Sequence, residues 1–212
     1  MKQLSILIFC IVPLFSYSQN KEADEFTQIL TTRSQKIINQ LNLKDQSIYD
    51  IVTNIMVTQY KNLAEIHDSS KALKENLKDK IKDKKQLDGE MKNLENEKTS
   101  QLFNLHCSFI GSLSAYLTND QIEKIKDGMT YGVVQVTYQS YLDMIPTLKD
   151  NEKKQLYAWL VEAREHAMNE SSSRDKHAWF GKYKGRFNNY LSKQGYDIQA
   201  ERKAWEERLK NK

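Results

Sequence analysis

Proline is nearly missing from this chain. There are two in 212 residues, and one lies in the first nineteen, so few helix breakers remain. Cysteine is as scarce. Cys10 and Cys107 are the only two, and only Cys107 lies beyond the leader described below, which excludes an internal disulfide in the mature chain. There is no cysteine pair and no His-Glu-x-x-His, the usual frames for a metal ion. There is no Gly-x-Ser-x-Gly and no glycine loop of the phosphate-cradling kind. Charge of one sign is lacking too. Thirty-two Lys and Arg are mixed closely with 28 Asp and Glu, for a formal +4. That pattern makes no strong basic field and argues against nucleic acid as a partner.

What is present begins with a leader over about residues 1–18. Lys2 is its positive end, Leu4 to Phe15 its apolar run, and Ser16-Tyr17-Ser18 a small-x-small site with cleavage before Gln19. The run is shorter than the roughly 20 residues a membrane span needs. Cys10 follows Phe9, a poor context for lipid attachment. The expectation is export to the periplasm or beyond, with no stable membrane anchor. Residues 20–212 are then expected to form a single helical domain.

The pattern after Asn20 is helical almost throughout. A first helix is predicted from Ala23 to Leu41, a joint at Asn42–Lys44, and a second helix from Asp45, with Ile48, Ile51 or Val52, Ile55, Tyr60 and Leu63 on its buried side. From Lys71 to Thr99 charge dominates. The apolar positions thin to Leu73, Leu77, Ile81, Leu87, Met91 and Leu94, a narrow coiled-coil seam. Asp88-Gly89 is read as a turn. Residues 66–104 are therefore expected to form a projecting antiparallel hairpin that bends near Gly89, with one continuous rod as the alternative. Cys107, between Phe103 and Phe109, is expected to be a buried thiol.

Thr118 with Gln121 reads as a capping box that opens a short helix ended by Gly128. Between Met129 and Ile145, Val133, Val134 and Val136 favour a strand on propensity. The spacing of Tyr131, Val134, Tyr138, Tyr141 and Ile145 favours helix, which is the reading adopted. Beyond Pro146, Thr147 with Asp150 is read as a second capping box. It opens a helix that buries Leu156, Trp159, Leu160, Ala163 and Ala167. Asp197 is expected to cap a last helix carrying Ile198, Trp205 and Leu209. The fold class is all-α, an antiparallel helical bundle with a projecting coiled-coil hairpin.

The stretch richest in chemistry is Ser172–Tyr196. Ser172 reads as an N-cap and Gly195 as the residue just past the C-terminus. Phe180, Tyr183, Phe187, Tyr190 and Leu191 recur at helical spacing and make one apolar face. Beside it runs a column of Trp179, Lys182, Arg186 and Asn189, and on the other flank lie His177, Lys184 and Asn188. Gly181 and Gly185 form a notch one turn apart, which suggests close approach by another group. Tryptophan offers a flat apolar face with a polar tip, and Arg and Asn offer planar sets of donors and acceptors. That mixture suits a sugar, and a nucleotide or an anionic peptide would also fit.

Metal and cofactor chemistry find little support. Glu162 and His166 stand one turn apart, but one helix supplies only two ligands and no second Glu-x-x-His appears. Ion pairing is the role read for them. Neither a metal ion nor a cofactor is expected.

Several local strings carry a family likeness: Leu105-His106, Asp127-Gly128-Met129-Thr130-Tyr131-Gly132, Ile145-Pro146, Glu162-Ala163-Arg164-Glu165, Trp179-Phe180-Gly181-Lys182-Tyr183-Lys184-Gly185-Arg186 and Asn188-Asn189-Tyr190-Leu191. With them the chain resembles the secreted bacterial family called domain of unknown function 3826, from about residue 22 to 209. The resemblance implies an exported sugar-binding protein found alongside polysaccharide breakdown. It assigns no ligand residue.

The functional expectation is a non-catalytic carbohydrate-binding protein that takes an oligo- or polysaccharide. Its contact residues would be Trp179, Lys182, Arg186 and Asn189, with His177, Tyr131 and Arg164 near them. A second reading is a periplasmic chaperone or scaffold, for which Leu117-Thr118-Asn119-Asp120-Gln121 resembles a Leu-Thr-x-x-Gln motif and the hairpin would meet a protein partner. A third is a polysaccharide lyase or hydrolase using Glu162, Glu165, Asp127, His177 and tyrosines.

Overall fold

The computed structural model describes the backbone of residues 14–211, and side chains from residue 23. Lys2 and most of the leader's apolar run lie outside the described residues. Eight α-helices follow in order: α1 Leu14–Ile38, α2 Gln46–Lys80, α3 Lys84–Ser114, α4 Asn119–Met129, α5 Val133–Met144, α6 Asp150–Met168, α7 Ser173–Lys193 and α8 Ile198–Lys210. No strand occurs among the described residues, so the Val-rich stretch before Ile145 follows its periodicity. None of the described helices is long and apolar enough to cross a membrane.

Single side chains decide most helix starts. Asp45 accepts from the amides of Ser47 and Ile48, and Asp197 from those of Gln199 and Ala200. Thr118 and Gln121 cap each other's amides reciprocally, so both side chains of the Leu-Thr-x-x-Gln string are engaged in starting α4. The expected box at Thr147 does not form. The Lys149 amide donates to buried Glu152 at 2.8 Å instead, while the Thr147 carbonyl accepts from the Tyr196 hydroxyl at 3.1 Å.

The hairpin is formed by α2 and α3, but its bend lies at Ile81–Asp83 and not at Gly89. The Asp83 carboxylate takes the Gln86 amide at 2.8 Å and starts α3 there. Gly89 then sits inside α3 with open space around it, at a cost of about 1 kcal/mol against alanine. No residue from Lys71 to Thr99 is fully buried, and Leu77, Ile81, Leu87, Met91 and Leu94 are half-buried along the seam. Lys74 and Glu95 clasp the two arms at 2.6 Å. Cys107 is exposed, contrary to expectation. α3 turns Phe109 and Leu113 inward, and a residue two positions from Phe109 points about 200° away.

Two apolar cores share the molecule. The first joins α1, α2, the base of α3 and α4 through Ile38, Met56, Leu113 and Ile125. The second joins α5 to α8 through Val134, Leu156, Leu160, Phe187 and Leu191. α6 belongs to both, since Met168 packs in the first and Ala163 in the second. Gly128 does not end α4, which runs on to Met129. It admits α1 instead, because a Cβ there would lie 2.5 Å from Ile37 Cγ2.

Candidate functional site

α7 starts as its sequence implies. Ser172 Oγ accepts the Asp175 amide at 3.0 Å, and Gly195 follows the helix with φ +96°. Phe180, Tyr183, Phe187 and Leu191 are buried against α6. The next column, Trp179, Lys182, Arg186 and Asn189, emerges beside that contact.

α6 supplies the other wall. Arg186 holds its guanidinium 4.2 Å from the Trp159 ring centre and reaches Glu162 at 3.2 Å. The Trp179 ring stacks on His166, with centres 4.3 Å apart and planes 11° from parallel. Lys182 lies 4.7 Å from the same ring, and the indole N–H donates to Glu170 at 2.9 Å.

Three shallow depressions run end to end along this strip. One of about 400 Å³ lies between His67, Glu170, Trp179 and Lys182. A second of about 390 Å³ lies between Glu162, His166, Trp179 and Arg186. The third, about 520 Å³, is lined by Trp159, Gly185, Arg186, Asn189 and Lys193. From Trp179 to Lys193 the strip is about 21 Å long at 1.5 Å per residue. No neighbouring atom lies within 4 Å of a Cβ built on Gly181 or Gly185. The notch therefore faces open space and admits no helix.

The other three residues expected at the site lie elsewhere. Tyr131 and His177 stack on each other with centres 5.5 Å apart, away from the strip. Arg164 is only 2% exposed, so it cannot meet a ligand there. Its guanidinium donates to Asp127 at 2.7 Å and to Glu123, tying α6 to α4. Asn188 is likewise occupied, accepting from the Tyr141 hydroxyl at 2.8 Å.

The carboxylates considered as acid and base are held in ion pairs. Burial pushes Glu165 up, but hydrogen bonding to His106 and the charges of Lys126 and Arg164 outweigh it and hold the group at about 2. A carboxyl so held is no proton donor near neutrality. Glu162 pairs with Arg186. Among the described residues no three His, Cys, Asp or Glu side chains are grouped to hold a metal ion.

Sequence reasoning missed Trp159, Glu162 and His166 as part of this strip. The available signal was their spacing of three and four on α6. That spacing puts them on one stripe, although Trp159 had been read as core.

A family model described as a protein of unknown function (DUF3826) matches residues 27–211. The chain belongs to that family. No curated protein matches it.

Proposed function

We propose that the protein is an exported, non-catalytic carbohydrate-binding protein, and that the α6–α7 strip is its contact surface. The observation that carries this reading is the row of Trp179, Lys182, Arg186 and Asn189 along three contiguous open depressions, with Trp159 beside them. Two indoles share it with an ammonium, a guanidinium and a carboxamide, the ring faces and hydrogen-bonding groups that stacking on C–H faces and pairing with hydroxyls require.

Both indoles carry a cation. Such contacts are worth about 0.5–1 kcal/mol at exposed sites. A sugar ring can displace the exposed Lys182 ammonium from Trp179 at that modest cost, and the ammonium then becomes a hydroxyl donor. The length of the strip suits an oligosaccharide better than a single sugar. The leader and the sugar-binding character implied by the family resemblance are consistent with this reading.

A glycan array followed by calorimetry tests it. Saturable binding of an oligosaccharide is expected, and Trp179→Ala should weaken it by about tenfold or more with the helical circular dichroism unchanged. Wild-type protein that binds no saccharide would overturn the proposal.

A further inference from the structure

A larger depression of about 780 Å³ lies away from the strip, between α1, α2, the α4–α5 turn and the start of α7. Arg33, Lys36, Tyr60, Asp127 and Lys176 line it together with the neutral Thr32 and Gln40, and Ile29 and Ile37 give it an apolar wall.

Lys176 is the anomaly in this cleft. It is 3% exposed, and its ammonium has one hydrogen-bond partner, the Ala167 carbonyl at 3.3 Å. Among the described residues no carboxylate pairs with it, nor with Arg33 or Lys36. Burying an ammonium costs several kcal/mol unless a counter-charge meets it. Burial, reinforced by Arg33 and opposed by Glu170, pulls Lys176 down to about 8. The one carboxylate in the lining, Asp127, is already held by Arg164 at 2.7 Å. The chain thus gathers three cations here, while the one carboxylate that lines the cleft is spent on Arg164 and Glu170 acts on Lys176 only at a distance.

The wall beside them is strained. Tyr131 has φ +62° and Gly132 φ +66°. The left-handed conformation is unfavourable for a residue with a side chain. Tyr131 stays 54% exposed at the cleft, its ring held against His177. Gly132 is also the N-cap of α5, and the turn closes on its own backbone, the Gly132 amide donating to the Asp127 carbonyl at 2.8 Å and the Val133 amide to the Thr130 carbonyl at 3.3 Å.

We propose that this cleft binds a small carboxylate-bearing molecule, its carboxylate between Arg33 and Lys176 and its apolar body against Ile29, Ile37 and Tyr131. One buried ammonium beside one planar guanidinium matches a singly charged planar group. Arg33 and Lys36 are exposed at the mouth, so the interior lacks the several converging donors a phosphate dianion would need. Tyr60, pushed up to about 12 by burial, keeps its proton and adds a neutral donor. The proposal does not rest on the glycan reading, since the two surfaces share no lining residue.

Benzoate, benzyl alcohol and inorganic phosphate, titrated into the full mature chain, test it by calorimetry and by the amide shifts of Gly132 and Lys176. Benzoate should saturate and move both amides, and benzyl alcohol should bind about tenfold or more weakly. Arg33→Gln, at an exposed position, should weaken benzoate by about tenfold without loss of helical signal. Lys176→Met should abolish the binding. Equal binding of benzyl alcohol, tighter binding of phosphate, or indifference to Arg33→Gln would each overturn the proposal. So would a failure of benzoate to saturate at millimolar concentration.

Discussion

Lys176 and Arg164 are both buried cations, 3% and 2% exposed, yet their surroundings are opposites. Arg164 ties α6 to α4 through two carboxylates. Lys176 has a single carbonyl. The same division runs between the two surfaces of α7. On the strip, Arg186 is exposed and already engaged by Glu162 and Trp159, and Lys182 lies over Trp179. In the cleft no carboxylate of the described chain pairs with Arg33, Lys36 or Lys176; Arg33 lies 5.5 Å from the Tyr60 ring centre and Lys176 has its one carbonyl. A cation matched by its own chain is accounted for by the fold. A buried one left unmatched points to a partner from outside.

Substitutions that remove one cation or one partner at a time test this division. Arg164→Ala should cost about 2 kcal/mol or more in urea unfolding followed by circular dichroism, because it opens a buried gap between α6 and α4 and leaves the part-buried Asp127 without its partner. An effect below about 1 kcal/mol would make Arg164 no better matched than a surface residue. Glu162→Ala, which frees Arg186 on the open strip, should change stability by at most about 0.5–1 kcal/mol in the same experiment. A larger loss would show that the strip is held rigid by its ion pair.

Comparable in size to the loss at Arg164 is the pH response of the wild type. Folded Lys176 loses its proton near pH 8 and its unfolded counterpart near 10.5. Between those values the unfolded chain holds more protons, so this group's contribution to stability rises with pH across that window. Its full extent is about 3 kcal/mol. The groups facing it include Arg33 on α1, Asp127 on α4 and Glu170 before α7, together with Tyr60 on α2. Tyr60, at about 12, does not titrate in this window.

How much of this was legible in the sequence follows from the range of each interaction. Ser172, Thr118 and Asp197 were readable as caps because one oxygen and the amides next to it settle the matter. The column Trp179, Lys182, Arg186, Asn189 was readable because helical spacing alone aligns it. The bend of the hairpin was misplaced because Asp88-Gly89 looks like a turn, while Asp83 with Gln86, a cap of the same local kind, went unread. Trp159, Glu162 and His166 were missed because the sequence does not say which stripe of α6 will meet α7. The cleft was invisible for the same reason, its cations lying at positions 33, 36 and 176. Arg164 was placed on the wrong surface because a local pattern does not reveal two carboxylates arriving from α4.

A Lys176 ammonium kept for a ligand is kept against the interest of the fold. The most direct measurement is the unfolding free energy of Lys176→Met at pH 7, set beside its benzoate titration. The variant should be more stable than wild type by about 1–3 kcal/mol, with the rise between pH 8 and 10.5 gone and benzoate no longer bound. A variant that is less stable than wild type, or that still binds benzoate, would contradict it.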